Sequence, residues 1–207
     1  DFVNLTITGT TAVTLVTNAL VVTGNLTTAA TTDSLDIGAL ALTAGVLVHT
    51  GNIILIGSQT VTVTTPDINS GTFTYNGTGT YATVAPIATY YNLTFNGNAG
   101  SWTFNAALDV NNALTVTLGT VVLGANSDVD GAVAVASDAA ATLNIATYQL
   151  NVAGAWSVGA LGVFTAGAGS TVVFDGTTQN LTSGGVDAGH DFVNLTITGT
   201  TAVTLVT

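Results

Sequence analysis

The chain has no Lys and no Arg among its 207 residues, and its 11 acidic residues, all Asp, give a formal net charge of -11. Without these cations it cannot neutralise a phosphate backbone, so we expect no nucleic-acid partner. Salt bridges of Lys or Arg are excluded as a source of stability for the same reason. Proteases that cut after Lys or Arg find no site in this sequence.

Cysteine, methionine and glutamate are also missing. The lack of Cys excludes a disulfide framework, a thiolate metal site and a Cys nucleophile. Since no Met starts the chain, we expect a mature or internal segment of a longer protein. Glu, Lys, Arg and Met are good helix formers, whereas the 41 Thr and the many Val favour strands and the 24 Gly favour turns. We therefore predict an all-β fold.

Long apolar runs are absent although the mean hydropathy is +0.61. Apolar residues make up 47% of the chain, enough to bury a core and to argue against disorder. Thr, Gly or Asn interrupts every run before it reaches the roughly 18 residues of a spanning helix. We expect no membrane insertion, and export would have to be encoded outside this segment.

An internal repeat is the strongest feature of the sequence. Residues 1–17 and residues 191–207 are identical at all 17 positions, with a period of 190 residues. Chance does not produce such identity, which is typical of a tandem array of near-identical units or of a fibre with an overlapping end. Either origin implies a long periodic molecule.

A weaker half-period lies inside the repeat. Residues 2–9 share the frame aromatic, any, Asn-Leu-Thr, apolar, polar, Gly with residues 90–97, and the frame returns at Phe192. The spacings are 88 and 102 residues. Upstream, residues 72–77 resemble residues 171–176. The predicted domains are a first half-repeat at 1–89, a second at 90–190, and the start of the next repeat at 191–207.

Short strand-like runs of Val, Leu, Ile and Thr recur along the chain, and Gly, Asn, Asp or Ser punctuates many of the gaps. This spacing favours a parallel β-solenoid, or β-helix, of short strands with about 20 residues per coil. The alternative is a string of tandem β-sandwich domains of about 95 residues. Two Trp in the whole chain are few for a sandwich core, whereas ladders of small aliphatic side chains suit a narrow solenoid.

Three phrases carry a family resemblance: Asn-Leu-Thr-Ile-Thr-Gly, residues 20–27 and residues 171–176. They resemble the repeats of giant bacterial surface proteins, the adhesin-like, filamentous-haemagglutinin-like parallel β-helices. The resemblance spans most of the chain, although its motifs are degenerate. It implies a secreted or surface-anchored structural protein, at an extracellular or cell-surface location, and it transfers no active site.

Asp128 and Asp130 lie in the stretch 126–131, where Asn and Asp alternate and Gly follows. Calcium loops use this spacing because alternate side chains converge on one cation, but they also need further ligands such as Glu. An ordinary Asx-rich turn explains the stretch equally well. We predict no cofactor and no metal site, with calcium near Asp128 and Asp130 as the open alternative; Asp33 and Asp36 form a weaker version.

Five Asn-x-Thr triplets within one 190-residue period are potential glycan acceptors in an exported protein. A chain this rich in Asn and Thr also forms such triplets freely, and their return within the Asn-Leu-Thr frame favours a structural role. Glycans on these sites remain an open prediction. The five are Asn4, Asn25, Asn76, Asn92 and Asn180.

The chain offers little for catalysis. His49 and His190 are its two histidines, and His190 lies close in sequence to Asp187 and Asp191. A catalytic pair would also need a positioned nucleophile, and no Gly-x-Ser-x-Gly elbow is present. A polysaccharide-active β-helix would need a cleft lined by several Asp. We predict that the protein is not an enzyme and assign no catalytic or cofactor-binding residue.

These observations predict a structural repeat unit of an extracellular filament, sheath or giant cell-surface protein. Its coils would stack end to end, so its partners would be neighbouring copies of the same repeat, in a homopolymer or a covalent array. The alternative function is the stalk or passenger of a surface adhesin, a binding module whose tip lies outside this segment.

Overall fold

The structure is a computed structural model that describes residues 1–9, 12–85, 87, 89–198 and 202–206. Within this described part the chain forms 21 β-strands and no helix, so the all-β prediction is confirmed. Numbered in chain order, the strands are β1 Leu5–Ile7, β2 Ala12–Thr14, β3 Leu20–Thr28, β4 Ser34–Asp36, β5 Leu42–His49, β6 Asn52–Leu55, β7 Val61–Thr65, β8 Thr72–Tyr75, β9 Thr80–Val84, β10 Tyr90–Phe104, β11 Asp109–Val122, β12 Ser127–Val129, β13 Val133–Val135, β14 Ala141–Asn144, β15 Gln149–Val152, β16 Trp156–Val158, β17 Val163–Thr165, β18 Thr171–Phe174, β19 Thr178–Thr182, β20 Leu195–Ile197 and β21 Ala202–Leu205.

The strands stack into three parallel ladders that the chain visits in turn. Ladder A contains β2, β4, β6, β8, residues 92–95 of β10, residues 113–116 of β11, β13, β16, β19 and β21. Ladder B contains the first parts of β3 and β5 with β7, then β9, the last parts of β10 and β11, β14 and β17. Ladder C contains β1, residues 25–28 of β3, residues 46–49 of β5, Tyr90 at the start of β10, residues 109–110 at the start of β11, then β12, β15, β18 and β20.

This arrangement is a parallel β-solenoid, as predicted, and the sandwich alternative is wrong. A sandwich pairs its strands antiparallel, whereas here a strand pairs in parallel with the strand one coil later. In ladder C, Leu5 pairs with Leu26 and Leu26 with Leu47, so a coil takes about 21 residues there. The length varies, since along ladder A the paired residues Ser34 and Asn52 lie 18 apart while Trp156 and Leu181 lie 25 apart.

The core is a stack of like side chains inside the coils. Strand residues alternate between inward and outward positions, so each ladder contributes a column of inward side chains. Burying each large apolar side chain contributes about 1.5–3 kcal/mol, and the columns therefore dominate a fold without Lys or Arg ion pairs. Along ladder A the inward column, at most 1% exposed, is Leu35, Ile53, Phe73, Leu93, Leu114, Val133 and Trp156.

Ladder B is interrupted between β7 and β9, which do not pair in the described part of the chain. The Trp102 side chain fills the core beside this break, and its indole Nε1 donates a hydrogen bond to the Ile56 carbonyl oxygen at 2.7 Å. The Tyr81 ring stacks on Trp102 with centroids 6.1 Å apart. A Cβ at Gly57 would lie 2.6 Å from Trp102, so glycine is needed to admit the ring. A cleft of about 390 Å³ between the two strands marks the break on the surface.

The matched stretches of the two half-repeats lie on different ladders. Leu5 belongs to ladder C, whereas its counterpart Leu93 belongs to ladder A. The upstream stretches lie one coil earlier on the same ladders. β8 precedes Leu93 in ladder A, and β18 precedes Leu195, the second copy of Leu5, in ladder C. The half-repeat boundaries at 89/90 and 190/191 stay predictions.

Candidate functional site

The two copies of the repeated segment occupy opposite ends of the solenoid on the same ladders. In the first copy β1 lies in ladder C and β2 in ladder A, and in the second copy β20 and β21 do the same. Ladder A passes through ten strands from β2 to β21, so nine coils separate the copies. The 190-residue period therefore equals a whole number of turns. Residues 10, 11, 199–201 and 207 of the copies lie outside the described residues.

The same side chain is covered at one end and uncovered at the other. Ile7 is 5% exposed because the coil containing β3 packs against it, while its counterpart Ile197 is 51% exposed. Leu195 and Leu205 are exposed in the same way at the second end. An uncovered apolar strand edge of this kind can pair with another strand.

The second copy packs onto an aromatic cluster through Phe192. The Phe192 ring lies 5.3 Å from Trp156, 5.5 Å from Phe164 and 6.2 Å from Phe174, measured between ring centroids. Its counterpart Phe2 is 49% exposed at the other end. Edge-to-face and tilted aromatic contacts of this kind add about 0.5–1.5 kcal/mol beyond the buried area. The cluster therefore anchors the second copy on the coils that contain β16, β17 and β18.

Two asparagines of the Asn-x-Thr triplets form side-chain hydrogen bonds between coils. Asn92 donates from Nδ2 to the Gly71 carbonyl oxygen at 2.9 Å and accepts at Oδ1 from Asn112 at 2.7 Å. Asn4 accepts at Oδ1 from the Asn25 backbone N–H at 2.8 Å. The side chains of Asn76 and Asn180 belong to exposed residues. At Asn92 the atom that would carry a glycan is thus bonded to the preceding coil, while glycans on the other triplets stay a prediction.

The aspartates near the predicted calcium turn line up on the outside of ladder C. Asp109 of β11 pairs in register with Asp128 of β12. Burial raises the pKa of Asp128, and the neighbouring carboxylates of Asp130, Asp175 and Asp109 raise it further. The described residues contain no group of three or more His or Asp arranged to hold a metal ion. Calcium binding near Asp128 and Asp130 stays a prediction, and no cluster of ligands among the described residues supports it.

Asp33 and Asp36 act in turns. Asp33 is 1% exposed and its Oδ2 accepts from the Ala30 backbone N–H at 2.8 Å. Asp36 accepts from the Gly38 N–H at 2.9 Å. Both bonds are the local side-chain to backbone contacts that Asp makes in turns.

The two histidines have different surroundings. His190 Nδ1 lies 2.7 Å from Asp187 Oδ1, and its Nε2 lies 3.3 Å from the Gly159 carbonyl oxygen. Asp187 is exposed, and the pKa of its carboxyl is lowered chiefly by the hydrogen bond with His190. These two contacts join the His190 ring to Asp187, three residues earlier in the same loop, and to the Gly159 backbone.

His49 is completely buried, and sequence reasoning missed its partner Asp67. The His49 backbone N–H donates to Asp67 Oδ2 at 2.8 Å, and the Ser70 hydroxyl donates to the same oxygen at 3.0 Å. Asp67 thereby takes the place of a strand in ladder C between β5 and Tyr90. The signal was present as a turn-forming run after Pro66, which contains Asp, Asn and Ser.

The described residues hold no helix long and apolar enough to cross a membrane. Comparison with family models, curated proteins and solved structures finds no match to this chain. The likeness to adhesin-like β-helical repeats therefore rests on the sequence phrases and on the β-solenoid fold with which they are compatible.

Proposed function

We propose that the chain is a structural repeat unit of an extracellular filament, sheath or giant cell-surface protein. One observation carries the proposal: identical segments lie nine coils apart on the same two ladders. A unit of this kind adds length to a solenoid and places the strands of the next unit on the same ladders. Repeats that contact only their neighbours along one axis are the usual construction of extended solenoid arrays.

The charge distribution supports the same role. Asp191 repeats Asp1, so the 11 Asp correspond to ten per period, without any Lys or Arg to balance them. A fibre of such units is a line of negative charge, and like-charged fibres repel one another sideways. The array therefore grows along its axis while lateral clumping is discouraged.

Electron microscopy and fibre diffraction of the native material test the proposal. Nine coils with a strand spacing of about 4.8 Å give an axial repeat of about 43 Å. We expect long fibres with this axial repeat and a meridional reflection at the strand spacing. Antibody labelling of intact cells should reach them without permeabilisation.

Two other outcomes contradict the proposal. Single projections of finite length, each ending in a distinct tip, would assign the chain to the stalk of an adhesin. Antibody labelling that appears only after permeabilisation would contradict the extracellular location.

A further inference from the structure

We infer that in an array one copy of the segment 1–17 serves two units at once, pairing backward as residues 191–207 do and forward as residues 1–17 do. The partner is thus a second copy of this chain, docked in register on the coil that contains β18 and β19. The inference rests on the proposed function and specifies its interface. It makes the solenoid continuous across the boundary, without a linker.

The backbone hydrogen bonds of the two copies are complementary. In the first copy Phe2 and Leu15 donate their N–H groups to the following coil, at Val21 and Asp36, both within 2.9 Å. In the second copy the donors to the preceding coil include Thr198, Ala202 and Val206, which correspond to positions 8, 12 and 16. A strand in a parallel ladder bonds its two neighbours through alternate residues, so one segment can make both sets.

The carbonyl groups divide in the same way. The oxygens of Phe2, Val3 and Ile7 accept hydrogen bonds from the following coil, at 2.9, 2.7 and 3.0 Å. In the second copy the Asn194 oxygen accepts from the Val172 N–H of the preceding coil at 3.0 Å. Asn194 corresponds to position 4, which is none of the three forward acceptors. These four acceptors are therefore divided between the two sides, three facing the following coil and one the preceding coil.

One asparagine side chain has a separate atom for each neighbour. Asn4 uses its Oδ1 to accept from the Asn25 N–H of the following coil at 2.8 Å. Asn194 uses its Nδ2 to donate to the Ser170 carbonyl oxygen of the preceding coil at 2.8 Å. At a junction these are the same residue, whose amide then bridges three consecutive coils.

Apolar contacts follow the same division. The second copy inserts Phe192 against Trp156, Phe164 and Phe174, while its Leu205 stays 65% exposed. In the first copy Leu15, the counterpart of Leu205, packs against the core of the following coils. A junction segment is therefore covered on both faces: Phe192 keeps its aromatic contacts and Leu205 is covered as Leu15 is, while Val3 and Val16 are exposed in both copies.

The test uses a two-unit chain in which residues 1–190 are followed directly by residues 1–207. Hydrogen exchange compares three copies of one sequence: the two terminal copies and the junction copy. Because only the junction copy is paired on both sides, we expect its amides to exchange at least about tenfold more slowly than those of either terminal copy. Equal exchange in all three copies would overturn the inference.

A matched pair of substitutions adds a second readout. Asn194→Asp, at position 4 of the second unit in the two-unit chain, replaces the donor to Ser170 by a carboxylate, and we expect junction protection to fall about tenfold. Asn4→Asp at the free N-terminal end keeps the acceptor for Asn25 and should leave local protection unchanged. Equal effects of the two substitutions would contradict the bridge.

The outcomes separate the two proposals. A protected junction in the two-unit chain supports the docking even if the native material forms no fibre, which would remove only the proposed function. An unprotected junction overturns the docking even if fibres of another construction exist.

Discussion

At the scale of single residues, the most constrained polar group is the His49 imidazole. It is fully buried, its ring lies 4.9 Å from Phe73, and its Nδ1 has no hydrogen-bond partner. Burial lowers the pKa of His49, and this effect outweighs the opposing influences of the Asp67 carboxylate and the Thr72 carbonyl. Folding therefore favours the neutral form of this histidine.

The His49 environment predicts a loss of stability in mild acid. Because the folded pKa lies below the unfolded value of about 6.5, the unfolded chain binds the proton more readily. Stability is thus full above about pH 6.5 and falls as the pH drops through the folded pKa, by up to about 1.4 kcal/mol per pH unit. Urea unfolding between pH 8 and pH 5 measures this slope.

The comparison is made with His49→Leu in a His190→Gln background, which leaves no other histidine to titrate. We expect the slope to vanish in this variant and to persist in His190→Gln alone. The pKa of Asp67 is lowered as well, because hydrogen bonds from His49, Asn69 and Ser70 together outweigh its burial. The stability that Asp67 contributes is lost only at still lower pH, since the ordinary pKa of an Asp carboxyl is 3.8 and that of Asp67 lies below it. An unchanged slope in the double variant would contradict the assignment.

At the scale of elements, glycines allow the coils to approach closely at one corner between ladders C and A. A Cβ at Gly131 would collide with the Asn112 carbonyl oxygen, and one at Gly154 or Gly176 would meet the backbone of the coil before it. Backbone atoms of a neighbouring coil cannot yield as a flexible side chain can. Glycine is therefore a packing requirement of this corner.

We predict that Gly154→Ala lowers the free energy of unfolding by about 1–3 kcal/mol, since the added methyl overpacks the corner. Gly189→Ala is the matched control, because its Cβ would meet first the exposed Asp187 carboxylate at 3.2 Å. Chemical denaturation of both variants measures the difference. Equal stabilities would show that the corner can relax.

The register of β11 and β12 places two carboxylates side by side, at Asp109 and Asp128. Like charges directly opposite each other in a sheet are destabilising. Asp128→Asn should therefore raise the melting temperature by about 1–3 °C at neutral pH, and added salt should shrink the gain. Asp138→Asn is the control, because the amide oxygen can still accept from Ala140. A lower melting temperature would contradict the repulsion.

At the scale of the whole molecule, chelation tests directly the prediction that the chain has no metal site. We predict that EDTA leaves the melting temperature of the chain unchanged, because the described residues offer no three-ligand group for a metal. Calcium that bound only the folded state would raise the melting temperature with concentration. A rise that Asp128→Asn abolishes would assign calcium to the turn and contradict our expectation.

Much of the architecture could be predicted from composition and repetition. The Thr and Val content indicates strands, and the 17-residue identity at a spacing of 190 residues predicts an array, since both are local or exact properties of the chain. The coil repeat is harder to read, because ladder A steps range from 18 to 25 residues. Loops absorb this variation at the corners, so no fixed spacing of residues survives in the sequence.

The sequence by itself determined the strand class, the absence of Lys and Arg along the molecule, and the period of the repeat. Only the tertiary structure decided that the period is nine whole coils, because the phase of each strand depends on every coil length before it. It also decided that Leu5 and Leu93 lie on different ladders, and that His49 is buried beside Asp67. Such placements arise from contacts between residues a coil apart, which local sequence patterns do not encode.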